Sequence, residues 1–134
     1  RRHIARAIAA SDAPYDVDGA FAHVIGDDCP CYVAREIPDF DRGIELLSEA
    51  CGLVGLAHPL RYADPESALA LCDDLDAVEY HYDYGRPTDR RPVERAIEAY
   101  DLVVTGGSDA HDRTLGRAGL DRGEYRAFRN RVRP

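Results

Sequence analysis

Leu53-Val54-Gly55-Leu56-Ala57-His58-Pro59 is the stretch on which the fold turns. Five apolar residues stand in a row, bounded by Gly52 on one side and His58-Pro59 on the other. The run is too short for a helix and shows no polar alternation, so it predicts a short strand covered on both faces. Downstream, Asp64-Pro65 offers a capping side chain and then a proline at the first helical position, which predicts a helix to about Asp73. Ala77-Val78-Glu79-Tyr80 predicts a second strand ending at His81, and Val93, Ile97 and Tyr100 mark the helix after it. Leu102-Val103-Val104-Thr105 predicts a third strand, which runs into Gly106-Gly107-Ser108-Asp109-Ala110-His111. Upstream, Phe40, Ile44, Leu47 and Cys51 fall on one helical face and predict a helix over about 39–50. Residues 39–111 therefore alternate helix and strand. That order predicts βα crossovers and a parallel α/β sheet covered by helices.

The flanks read as helical. Residues 2–10 are Ala-rich, with Ile4 and Ile8 one turn apart. Asp16 is placed to cap a helix over roughly 17–25, with Ala20, Phe21 and Val24 on one face and Gly26 as its stop. Residues 27–38 form a loop with two prolines. A last helix over about 121–132 is expected to turn Tyr125, Phe128 and Val132 inward. No internal repeat or low-complexity segment is present.

Composition narrows the class. The 134 residues are 45% hydrophobic and 31% charged, which fits a globular chain and excludes a disordered tail. No run reaches the roughly 18 apolar residues of a membrane span. All 17 basic residues are Arg, against 17 Asp and 8 Glu, for a formal net charge of −8. An Asp-rich surface without Lys suits a high-salt, halophilic cytoplasm; a GC-rich genome that favours Arg codons would give the same absence of Lys. The charge is lopsided. Residues 113–134 carry 7 Arg against 2 acids, as a solvated terminal helix or a phosphate-facing tail would. Four cysteines stand at 29, 31, 51 and 72, and the C-x-C spacing without a second pair does not make a zinc knuckle. Cys51 and Cys72 are expected to be buried, and all four to be reduced thiols in the cytoplasm. The chain opens at Arg1 within a helical pattern, so a piece of a longer protein is expected.

The chemistry gathers at strand ends. His58, His81 and His111 each stand at or just past the C-terminal end of an expected parallel strand, the edge where such sheets bind ligands. Asp109 and His111, two residues apart in an extended loop, point to the same side and could hold one metal or two neighbouring ones. An Asx-type turn made by Asp109 is the alternative. Glu79 shares a strand face with His81 and could orient a histidine or pair with an Arg.

These residues carry a resemblance. L-V-G-L-A-H-P at 53–59, V-E-Y-H at 78–81, L-V-V-T-G-G-S-D-A-H at 102–111 and L-G at 115–116 resemble the C-terminal half of a PHP (polymerase and histidinol phosphatase) domain. R-R-H-I-A-R-A at 1–7 and C-Y-V-A-R-E at 31–36 resemble the small helical insertion of its 3′,5′-nucleoside bisphosphate phosphatase and 5′-to-3′ exoribonuclease type. The resemblance implies the C-terminal part of a distorted (β/α)7 barrel, with residues 1–38 as the insertion and 39–134 as the last βα units. It implies two or three divalent ions (Mn, Zn or Fe), with His58, Asp109 and His111 among their ligands and His81 lining the site. It implies that Arg1, His3 and Arg35 hold the substrate phosphate. The expected substrate is a nucleotide or short RNA, with no membrane and no stable protein partner.

The H-x-H motif and the further acidic and histidine ligands of the family's first strands have no counterpart in residues 1–134. This piece is therefore expected to be inactive alone. Two other readings stand beside the nucleotide phosphoesterase: a histidinol-phosphatase-like enzyme for a small metabolite, and a metal-free module with a structural role.

Overall fold

A computed structural model of the chain describes residues 1–111 and 113–132. It divides into two compact units, Arg1–Ile37 and Pro38–Pro134.

In the first unit, helix α1 (Arg2–Ala9) packs against helix α2 (Val17–Ala20). Ala5 and Ala20 are fully buried between them. Their small side chains let the two backbones approach, while Ile8, Tyr15, Val17, Phe21 and Val24 close around the contact with Ile25. Asp16 caps α2 as expected, its Oδ1 accepting from the Gly19 N–H at 2.7 Å. The expected single helix over 17–25 is instead α2 followed by a π-helical turn, Phe21–Ile25.

The second unit is a three-stranded parallel sheet with helices, a mixed α/β arrangement. Strands β1 (Gly55–Leu56), β2 (Ala77–His81) and β3 (Val103–Gly106) lie in the order β1-β2-β3. The register pairs Gly55 with Ala77 and Ala77 with Val103. Helices α3 (Phe40–Ala50), α4 (Pro65–Ala70), α5 (Arg91–Tyr100) and α6 (Arg122–Arg131) precede or connect the strands, or follow them. Among the described residues, four aspartates start helices. Besides Asp16, Asp39 accepts from the Arg42 N–H, Asp64 from the Ser67 N–H, and Asp121 forms a reciprocal box with Glu124. The core joins Leu60, Leu69, Cys72, Val78, Val93, Ala96 and Leu102. Burial pushes the Cys72 thiol up from its ordinary value, since a thiolate would lose its hydration there.

Two expectations about burial need correction. Cys51 is exposed, unlike Cys72, because it follows the end of α3, and no residue of α3 is buried. The apolar stripe of α3 is real, yet Phe40 and Leu47 stay open to solvent, as do the neighbouring Ile37 and Leu46. Tyr125 of α6 is exposed rather than inward, whereas Phe128 and Val132 are half-buried. All four cysteines are free thiols. Among the described residues no helix is long and apolar enough to cross a membrane.

The β2–β3 ladder contains an irregularity between Glu79 and His81, after which His81 pairs with Gly106. The approach there is tight. A Cβ added at Gly106 would lie 2.5 Å from the His81 Cβ and 2.9 Å from its carbonyl oxygen. Gly106→Ala should therefore push β3 off β2 and cost about 1–3 kcal/mol, read as a lower urea midpoint. An unchanged midpoint would mean that the strands part without penalty.

The start of α5 supplies a pH test. The Arg91 guanidinium holds the Asp89 carboxyl down to about 2 from its ordinary 3.8, helped by the Arg91 backbone N–H. A carboxyl depressed in the folded state stabilises the protein above its unfolded value, and that contribution disappears as pH falls through the folded value. A side-chain NMR titration should place the Asp89 midpoint near 2, and the stability gap to Asp89→Asn should close between 3.8 and about 2. A midpoint at the ordinary value would show the ion pair to be absent in solution.

Candidate functional site

Parallel pairing puts the exits of all three strands on one edge, and the candidate residues follow from there. His58 leaves β1 in the left-handed region, at φ 33° and ψ 58°. That is unusual twice over, since the residue before a proline is pushed toward extended backbone. Its position is fixed by β2: the Glu79 Oε2 accepts from the His58 backbone N–H at 2.7 Å. Glu79 thus holds the loop that carries a histidine, rather than an imidazole or an Arg. The His58 ring packs edge-on against Tyr82, 5.4 Å between centroids. Its Nδ1 is buried and has no hydrogen-bond partner among the described residues.

Asp109, past β3, is also left-handed, at φ 42°. Its Oδ2 accepts from the Tyr82 hydroxyl at 3.1 Å, and that hydroxyl accepts from the Arg61 guanidinium at 2.7 Å. Arg61, Tyr82 and Asp109 therefore form a relay along the rim. The hydrogen bond that Arg61 donates to Tyr82 holds the already basic guanidinium above its ordinary value. Tyr82 is only 6% exposed, whereas Arg61 and Asp109 at the two ends of the relay are open to solvent. The sequence reading missed both Arg61 and Tyr82. Their signal was available: Tyr82 follows the end of β2 directly, and Arg61 lies three residues after His58.

His111 turns back on its own loop. Its Nδ1 lies 2.7 Å from the Asp109 carbonyl oxygen and 3.9 Å from Oδ1. A proton on Nδ1 donated to that carbonyl leaves the Nε2 lone pair free to bind something else. His81 goes elsewhere. Its Nε2 meets the Glu124 Oε1 at 2.7 Å, which ties β2 to the start of α6. The Glu124 carboxyl sits below its ordinary value, first through the Asp121 backbone N–H and then through His81.

In the first unit, Arg1 pairs with Asp27 at 2.8 Å and lies over the Tyr32 ring at 4.6 Å. His3 and Arg35 are exposed.

Imidazole nitrogen and carboxylate oxygen are the donors that Zn, Mn or Fe accept, and an orphaned, buried His58 Nδ1 is consistent with a partner from outside the chain. The number of donors is not sufficient. Among the described residues no group of three or more His, Cys, Asp and Glu side chains could hold a metal ion. His58, Asp109 and His111 share the rim, with Asp109 and His111 adjacent and His58 across Tyr82, but they do not close on one ion.

No family model matches the chain, and no curated protein matches it. A solved structure does. The chain is 28% identical to a protein from Bifidobacterium adolescentis described as a "putative metal-dependent phosphoesterase", with a TM-score of 0.75. The match covers 99% of this chain and 50% of that one. This chain thus spans half the length of its structural neighbour.

The relay predicts a measurable effect. Tyr82→Phe removes the hydroxyl that Arg61 and Asp109 share, and should lower stability by about 1–2 kcal/mol. Urea unfolding at neutral pH checks it; a wild-type midpoint would show that water replaces the hydroxyl at no cost.

Proposed function

We propose that the chain is the C-terminal part of a PHP-type metal-dependent phosphoesterase acting on nucleotides or RNA 5′ ends. The observation that carries the reading is the pair of strained residues His58 and Asp109. Both adopt a backbone conformation that disfavours their side chains, both stand on the ligand-binding edge of a parallel sheet, and Tyr82 spans them. The likeness to half of a phosphoesterase supports the same reading.

On this proposal residues 1–38 are the helical insertion and residues 39–134 complete a (β/α)7 barrel begun elsewhere. The other half supplies the missing ligands for two or three divalent ions and covers the bare apolar face of α3. Such ions supply Lewis acidity toward a phosphoryl oxygen. This chain contributes the His58, Asp109 and His111 donors, with Glu79 and Tyr82 holding the first two in place. Arg1, His3 and Arg35 hold the substrate phosphate, a task that suits the guanidinium fork.

The test is phosphate release from a 3′,5′-bisphosphonucleotide with added Mn²⁺. Residues 1–134 alone should give none, and a chain completed with the N-terminal half should turn over. His58→Ala and Asp109→Asn in the completed chain should each cost more than about 100-fold, beyond the loss expected for an outer partner. Turnover by the isolated chain would refute the need for the other half. A completed chain that hydrolyses only a small-metabolite phosphate would move the assignment to the histidinol-phosphatase-like reading.

A further inference from the structure

Helix α6 is attached differently from α5, the helix before β3. α5 sinks Val93 and Ala96 into the core. α6 packs on β3 but buries no residue. Only Glu124 and Phe128, one turn apart, are half-buried in it, and Tyr125 is open to solvent. A single half-covered phenylalanine is a small apolar anchor for a helix of 10 residues.

Polar ties hold the rest. At the start of α6 the Glu124 Oε2 accepts from the Asp121 N–H at 2.8 Å, while Oε1 meets the His81 Nε2 at 2.7 Å. At its far end the Arg131 guanidinium donates to the Asp101 carboxylate and to the Asp101 carbonyl oxygen, each at 3.1 Å. Just ahead of α6 the Gly116 and Arg117 N–H groups donate to the Ser108 Oγ, at 2.7 and 3.2 Å. Only residues 118–120 separate that tie from the Asp121 cap.

Both end ties are reached by water. Side-chain exposure is 26% and 30% for His81 and Glu124, and 52% and 90% for Arg131 and Asp101. Pairs this exposed contribute little each. A lone helix needs about 12–15 residues to persist in water, so α6 keeps its helical hydrogen bonds only while docked. Undocking and melting are then one event, with a free energy set by a few weak ties rather than by the core.

We propose that residues 116–132 form a strap that opens as one unit, short of global unfolding, and that its opening releases Ser108, the neighbour of Asp109 on the rim. Docked, the strap braces the segment that keeps Asp109 left-handed; open, it removes that brace. The device needs neither a metal nor hydrolysis. Its failure and the failure of the phosphoesterase reading are thus separately visible.

Amide hydrogen exchange of residues 1–134, followed by NMR with and without low urea, tests it. The amides of Tyr125 to Arg131, together with those of Gly116 and Arg117, should share one opening equilibrium. It should be at least about tenfold more populated than the opening of α5 and β2, and should respond little to urea because little surface is exposed. Variants at opposite ends separate a concerted strap from fraying. His81→Phe keeps a ring beside Tyr80 but loses Nε2, and should raise exchange about fivefold across the whole set, Arg131 included. Arg131→Gln should raise it about twofold to threefold across the same set, Gly116 and Arg117 included. Exchange of α6 with the protection and urea response of α5 would overturn the proposal. So would variants that each loosen only their own end of the helix.

Discussion

The second unit depends on how β2 holds β1. The ladder between them is two residue pairs long, too little to place a strand alone. Two carboxylates on the β2 segment extend the grip beyond both ends. Asp76 accepts from the Val54 N–H at 2.9 Å just before β1, and Glu79 accepts from the His58 N–H at 2.7 Å just after it. Charge-assisted bonds of this type are roughly twice as strong as neutral ones. They also satisfy two backbone donors that the short ladder leaves without strand partners. Between them Gly55 passes so close to Ala77 that an added Cβ would lie 2.9 Å from the alanine Cβ. The clamp sets where the chain leaves the sheet, and so where the His58 imidazole stands.

The alternation of helix and strand was legible because it is written locally. Asp16 and Asp64 each cap a helix from three residues upstream of the donor they meet, and a capping signal needs no knowledge of the rest of the fold. The apolar run at 53–57 was legible as a strand for the same reason, although only Gly55–Leu56 enter the ladder. The Glu79 contact to the His58 backbone was not legible. It joins residues 21 positions apart and exists only once β1 and β2 lie parallel in one register. Tyr82 was missed on similar grounds: its role follows from the position of Asp109, brought in by β3. The exposed face of α3 shows the remaining limit. Periodicity tells which side of a helix is apolar, and says nothing of what covers it.

Charge reads differently at the two scales. Over the whole chain the balance is acidic, and the ion pairs of the exposed arginines are of the kind that contributes little to stability. At the strand ends the balance reverses. Arg61, Arg86, Arg90 and Arg117 come from the segment after β1, the segment after β2 and the loop before α6, so no single stretch of sequence displays the cluster.

Among the described residues, four other than glycine have positive φ, and they fall in different settings. Asp101 is the C-cap of α5, a place where a left-handed residue commonly ends a helix, and Arg131 reaches both its carbonyl and its carboxylate. Asp28 lies in a turn of the first unit, a setting that tolerates Asp. His58 and Asp109 have no such local excuse. Neither ends an α-helix, and glycine would serve each position at lower conformational cost. Each is instead held by a contact from another strand segment: Glu79 fixes the His58 backbone, and Tyr82 fixes the Asp109 carboxylate. Strain of this kind persists only where the surroundings impose it, and here they impose it on two potential ligands at one sheet edge. The side chains, not the turns, are what the conformation preserves.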